Sequence, residues 1–180
     1  MNIKRPQDNS KTIDLAPKSD ASKGIVLVVD DDPVVRKITR QLLGKLTDAV
    51  HAVSCGVDAI RVAPQLDPDL ILLDVTMPDM DGFEVCQKLR AEPRTAEVPI
   101  IMVTALNDRE SKLRGLEAGA DDFISKPYDR MELRTRVKTI LKVNRYRRLV
   151  DERDQRQRAW QGALKVLSEL LAIRDPETFG

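Results

Sequence analysis

The sequence predicts an α/β fold: a doubly wound, five-stranded parallel sheet with a long C-terminal helical extension. Three observations carry that prediction. Short apolar runs of strand length alternate with amphipathic helical segments five times along the chain. The run IVLVV at 25–29 is apolar without alternation, as a strand covered on both faces must be. Right-handed crossovers between parallel strands then place helices on both sides of the sheet.

In chain order, residues 1–24 are polar, contain two prolines and show neither helical nor strand period, so they read as a disordered tail. The strand Ile25–Val29 follows. Asp32 is placed to cap a helix with Pro33 at its first position, and Val34, Val35, Ile38, Leu42, Leu43 and Leu46 follow at helical spacing. Further strands are expected at Ala49–Val53, Leu70–Leu73, Val98–Val103 and Asp121–Ser125. Helices are expected near Val57–Ala63, Phe83–Arg90 and Arg109–Ala118, with a longer one from Arg130 to about Ile173, interrupted by no glycine or proline except Gly162. Residues 25–143 suit one five-unit domain, and 144–180 read as a helical linker with coiled-coil character.

Composition narrows the chemistry. The 180 residues carry 30 basic and 29 acidic side chains, a formal charge of +1, which argues against direct nucleic-acid binding. Aromatics at 3% argue against base-stacking platforms. His51 is the one histidine, so multi-histidine metal sites are excluded. The two cysteines, Cys55 and Cys86, form no C-x-x-C unit, and no apolar run reaches membrane-spanning length; a reduced, cytoplasmic protein is expected.

In a doubly wound sheet the active crevice lies beyond the C-terminal strand ends. Strand one ends in Asp30-Asp31-Asp32, strand three in Asp74, strand four in Thr104 and strand five in Lys126-Pro127. Asp32 is accounted for as a helix cap. Asp30, Asp31 and Asp74 at close quarters repel one another unless a cation is present, and a hard divalent ion such as Mg²⁺ suits that oxygen set. Lys126 adds a flexible point charge for a phosphoryl oxygen and Thr104 a hydroxyl donor. Taken singly, each of these is more often a cap, a surface lysine or a strand residue. Together they suit an aspartate that accepts a phosphoryl group.

The segments VLVVDDDPVVRK, LILLDVTMPDMDGFEV, PIIMVTAL and GLEAGADDFISKPYDRMEL resemble the receiver domain of two-component response regulators. The resemblance covers about residues 25–143 and implies a flavodoxin-like sheet of order 2-1-3-4-5. It implies that Asp74 is the phosphoacceptor, served by a histidine kinase or a histidine phosphotransfer protein. Mg²⁺ (or Mn²⁺) would be held by Asp30, Asp31, Asp74 and the backbone carbonyl of Thr76. Thr104 and Lys126 would contact the phosphoryl group, Thr104 and Phe123 would form the switch, and Pro127 would follow a cis peptide.

Two features lie outside that core. Trp160, Ala163, Leu167 and Leu170 fall at alternating three- and four-residue spacing, extended by Leu164 and Leu171, as in a homodimeric coiled coil. Lys112 with Glu132 and Asp122 with Arg136 look like charged pairs that cross a second type of dimer interface in some receivers. The segment LSELLAIRDPETFG resembles the opening of an HD-GYP cyclic di-GMP phosphodiesterase domain, which implies that 144–180 is a linker and the start of a truncated output module, with no phosphodiesterase residues present. The expected function is a phosphorylation switch rather than an enzyme. The alternatives are a stand-alone phosphorelay adaptor and, from a different class, an aspartyl-phosphate phosphatase acting on small phosphoesters.

Overall fold

The computed structural model describes residues 23–105 and 109–174, except for the side chains of Arg109 and residues 168–174. The tail expected at 1–24 therefore lies almost wholly outside the described residues. The elements are β1 Ile25–Val29, α1 Pro33–Leu43, β2 Ala49–Val53, α2 Gly56–Leu66, β3 Leu70–Asp74, α3 Gly82–Ala91, β4 Ile100–Thr104, α4 Arg109–Glu117, β5 Asp122–Ser125 and α5 Arg130–Arg174. All strand pairs are parallel and the order is β2-β1-β3-β4-β5, so the chain reverses direction across the sheet between β1 and β3.

Alternation along each strand divides the core in two. Leu27, Val29, Ile71, Leu73, Ile100 and Met102 face a cluster completed by α2 and α3. Val26, Val28, Leu70, Leu72, Ile101 and Ile124 face the other side, where Leu43 of α1 and Leu133, Val137 and Leu141 of α5 close the layer. The central strand β3 is buried along its full length, as its unbroken apolar run requires.

Element boundaries differ from the sequence expectation where local hydrogen bonding overrides periodicity. Helix α1 is capped as expected: the Asp32 side chain accepts from the Val34 N–H at 2.7 Å. It ends at Leu43, before Leu46, because Gly44 begins a turn in which the Leu43 carbonyl accepts from Leu46 and Thr47. Strand β4 begins at Ile100 instead of Val98. Pro99 has no N–H for the ladder, and the Val98 N–H turns back to the Thr95 carbonyl. Helix α2 continues through Pro64 to Leu66 and stops at Asp67, whose φ of 46° is left-handed.

Arg90, near the end of α3, braces the edge of the sheet opposite the C-terminal strand ends. Its guanidinium donates to the carbonyls of Gly119 (2.8 Å), Ala96 (3.0 Å) and Val98 (2.7 Å), and to the Asp121 carboxylate at 2.7 Å. The same Asp121 oxygen accepts from the Ile100 N–H. One side chain thereby ties the approaches to β4 and β5 together.

The described residues up to Leu141 form one compact unit and those from Lys142 a second. The second unit, where described, is helical as far as Arg174. No described helix is long and apolar enough to cross a membrane.

Candidate functional site

Four of the five strands, β1, β3, β4 and β5, deliver polar groups at or just beyond their C-terminal ends, and the sheet brings them into a single crevice. Asp30 follows β1 and is 3% exposed; Asp74 is the last residue of β3 and is 4% exposed. Asp31 beside them is exposed. One carboxylate oxygen from each of the three lies within 4.8 Å of the others. Lys126, just past β5, reaches across the sheet. Its Nζ donates to Asp30 Oδ2 at 2.9 Å and to Asp74 Oδ2 at 2.8 Å. Thr104 closes β4, buried, one residue beyond the register partner of Asp74.

Backbone donors fix the carboxylates. Asp30 Oδ1 accepts from the Asp32 N–H at 2.9 Å, and Asp74 Oδ1 accepts from the Thr76 N–H at 3.2 Å. The loop that carries Thr76 is pressed onto the site by Gly82, whose N–H donates to the Val75 carbonyl at 2.9 Å. A Cβ at Gly82 would stand 2.4 Å from the Asp74 carbonyl oxygen and 2.8 Å from Val75 Cα, so the start of α3 needs a residue without one.

Burial, reinforced by the Asp30 charge, pushes the Asp74 carboxyl above its ordinary value, although Lys126 and the Thr76 N–H pull the other way. For Lys126 burial works against the ammonium, but its bonds to Asp74 and Asp30 prevail and its pKa is raised. One ammonium held between two carboxylates, with a third alongside, leaves the site short of positive charge. The donor set is hard oxygen and the deficit is negative, which fits a divalent ion such as Mg²⁺.

Several groups at the site had no signal in the sequence. Arg36 of α1 donates to the backbone carbonyls of Asp30 (2.6 Å) and Asp31 (2.8 Å), pinning the acid pair from behind. The Tyr128 hydroxyl lies 3.3 Å from Thr39 Oγ1, and both line a small cavity with Asp30 and Asp74. Only the position of Arg36 in the first turn of α1 could have hinted at its role.

Other predicted residues lie outside this cluster. Phe123 is half-buried on β5, with its ring edge against Gly115 of α4 and near Met102. The Lys126–Pro127 peptide is cis. Asp122 and Arg136 pair within the chain, with oxygens 2.9 and 2.7 Å from Nη1, and Arg136 also holds Glu132 at 3.1 Å. Lys112 is exposed on α4. Trp160 and Leu167 are exposed on α5, whereas the Leu170 side chain falls outside the described residues. The HD-GYP-like run at 167–180 falls there too, apart from its backbone to Arg174 and the Leu167 side chain.

The family model described as "Response regulator receiver domain" matches residues 26–138. The chain belongs to that family. Receiver domains are phosphorylated on an aspartate, work with histidine kinases or phosphotransfer proteins, bind Mg²⁺, and are in general phosphoacceptors rather than enzymes. Similar curated proteins include Response regulator PleD of Caulobacter vibrioides, 42% identical over 135 residues, which cover 73% of this chain and 28% of PleD. Another is the DNA-binding dual master transcriptional regulator RpaA of Synechocystis, 40% identical over 117 residues, 65% of this chain and 48% of RpaA. This receiver chain thus spans half or less of the length of either relative. Among solved structures, a putative response regulator from Chloroflexus aurantiacus matches with a TM-score of 0.62 and 36% identity, covering 66% of this chain and 98% of that one. The receiver domain of a sensor histidine kinase from Pseudomonas aeruginosa, solved with a magnesium ion coordinated in its active-site cleft, matches at 0.61 and 31% identity, covering 66% and 98%.

Proposed function

We propose that this receiver takes a phosphoryl group onto Asp74 from a histidine kinase or histidine phosphotransfer protein and passes the signal on by a change of shape. The observation that carries this is the buried Asp74 carboxylate, held from one side by Lys126 and flanked by Asp30 and Asp31. An Asp74 oxygen attacks the phosphorus in line, the phosphorus–nitrogen bond to the donor imidazole breaks, and an acyl phosphate remains. Asp30, Asp31, Asp74 and the Thr76 carbonyl would hold Mg²⁺, which supplies neutralising charge when bound. Lys126, already aimed at Asp74 Oδ2, takes a phosphoryl oxygen, and the Thr104 hydroxyl takes another.

The switch runs from Thr104 to Phe123. The two lie on neighbouring strands, with Phe123 registered opposite Met102 two residues before Thr104. As Thr104 is drawn to the new charge, Phe123 packs inward and the α4–β5–α5 face changes shape. Within this scheme residues 25–143 are the receiver, residues 144–180 the helical linker to an output, and residues 1–24 a tail, in a cytoplasmic protein. The DPET run at 175–178 favours an HD-GYP-type output, and a stand-alone adaptor is the second reading.

Incubation with a small acyl-phosphate donor and Mg²⁺ tests the proposal. The chain should take up one phosphoryl group per molecule, and Asp74→Ala should take up none. Labelling that survives in Asp74→Ala removes Asp74 from the role. Many turnovers on a phosphoester, with no phosphoryl group retained, would instead support a small-molecule phosphatase.

A further inference from the structure

The unit from Lys142 onward presents a row of apolar side chains to solvent. Val143, Tyr146, Val150, Trp160, Leu164 and Leu167 are each between 49% and 67% exposed. Their spacing is 3, 4, then a gap of ten, then 4 and 3, and the gap is filled without a break of frame by Arg153 and Gln157. Positions 143, 146, 150, 153, 157, 160, 164 and 167 are thus successive a and d positions of one heptad register, which Leu171 continues in sequence. This frame differs from the one through Ala163 and Leu170 read from the C-terminal segment alone. Carried upstream, that frame would place Arg156 and Lys142 in the seam and leave Val143 and Val150 out of it.

We infer that this helix pairs with the same helix of a second copy of the chain as a parallel, in-register coiled coil from Val143 to Leu171. Area and charge both support a second copy. Twenty-nine residues make about 43 Å of helix. An apolar seam of that length, with a Trp and a Tyr each able to bury about 150–250 Å², reaches roughly the 800 Å² per partner typical of stable interfaces. In a parallel pair each d residue packs beside the partner's following e residue, so Arg153 meets Asp154 of the partner subunit. Within one chain Arg153 Nε lies 3.7 Å from Asp154 Oδ1, so the two opposite charges stand at the same level of the helix. An antiparallel pair would instead bring Asp154 beside its own copy and Arg156 beside its own copy, which like charges oppose. The Arg153–Gln157 layers weaken the seam but penalise every shifted register, because any shift buries them against apolar residues.

Sedimentation equilibrium of the full chain, without phosphodonor or Mg²⁺ so that the outcome is independent of the receiver chemistry, tests the inference. The expected mass is twice the 20.3 kDa of one chain. Leu164→Glu and Trp160→Glu should each return it to a single chain with the helical circular dichroism signal largely kept, while Val166→Glu, which lies off the seam, should not. In a Cys55→Ser background, Tyr146→Cys should form an interchain disulfide in mild oxidant. An antiparallel pair would hold those positions about 27 Å apart along the axis. A wild-type mass of one chain, a dimer that survives both seam substitutions, or failure of Tyr146→Cys to cross-link would each overturn the inference.

Discussion

Replacing Gly82 by alanine tests whether the α3 N-terminus holds the phosphoacceptor in place. The added methyl would sit 2.4 Å from the Asp74 carbonyl oxygen, 2.8 Å from Val75 Cα and 3.0 Å from the Asp74 carbonyl carbon, all main-chain atoms. Ordinary contact begins near 3.4 Å, so about 1 Å of relative movement is required, and no rotamer can supply it. Overpacking of this kind costs about 1–3 kcal/mol, offset by a helix-propensity gain of up to about 1 kcal/mol. The net loss should therefore be about 1–2 kcal/mol, a fall in Tm of about 3–8 °C. Movement of Asp74 relative to Lys126 and Asp30 should also slow phosphoryl uptake by about 10- to 100-fold. Thermal melting and the initial rate of labelling by an acyl-phosphate donor measure the two effects. Gly115→Ala is the contrast: its Cβ meets the Phe123 ring edge at 2.5 Å, a side chain that can move aside, so it should change the site far less. If Gly82→Ala proves as stable as wild type and labels at the same rate, the contact with Asp74 does not constrain the site and the reasoning fails.

Asp74→Asn should melt at a higher temperature than wild type at pH 7 without divalent ions. Because the folded pKa of Asp74 is raised, wild-type stability falls as pH rises through that value, and the advantage of Asn should shrink as pH drops towards 3.8. Mg²⁺ at about a hundred times its Kd should add about 2.7 kcal/mol to wild type and much less to the variant; an equal gain in both would remove Asp74 from the metal site. Arg90→Lys should lose about 2–4 kcal/mol in urea unfolding, since a single ammonium cannot serve three carbonyls and Asp121. Labelling per folded molecule should be unchanged, because Arg90 lies at the opposite edge of the sheet. An aromatic disulfide reagent at pH 8 should quickly modify one thiol, the half-buried Cys55, because Cys86 is buried and pushed up to about 11; two fast equivalents would contradict the packing around Cys86.

The strands and the acids at their ends were legible because each signal is local. An unbroken apolar run terminated by an aspartate or a threonine marks both a buried parallel strand and the mouth of the crevice. Contacts that depend on chain crossing were not legible. Arg36 and Arg90 look like surface basic residues in sequence, yet the first binds carbonyls five and six residues back and the second reaches Asp121, 31 residues on. Gly82 looks like a helix-start glycine until β3 is placed beneath it. The Asp122–Arg136 pair is formed within one chain by the turn from β5 into α5, a contact that the charge pattern alone does not distinguish from a pair across an interface or a solvated face.

Lys126 follows β5, which lies at the sheet edge and, among the described residues, pairs only with β4. Edge strands exchange their amide protons through local openings well short of global unfolding. Each opening of β5 would withdraw the ammonium from Asp30 and Asp74 and leave two buried carboxylates facing each other, so like-charge repulsion makes the fraying of this strand costlier than hydrogen-bond loss alone. Neutralising Asp74 by other means should therefore loosen β5 selectively. Amide protection along 122–126 becomes a direct gauge of how much negative charge the crevice holds.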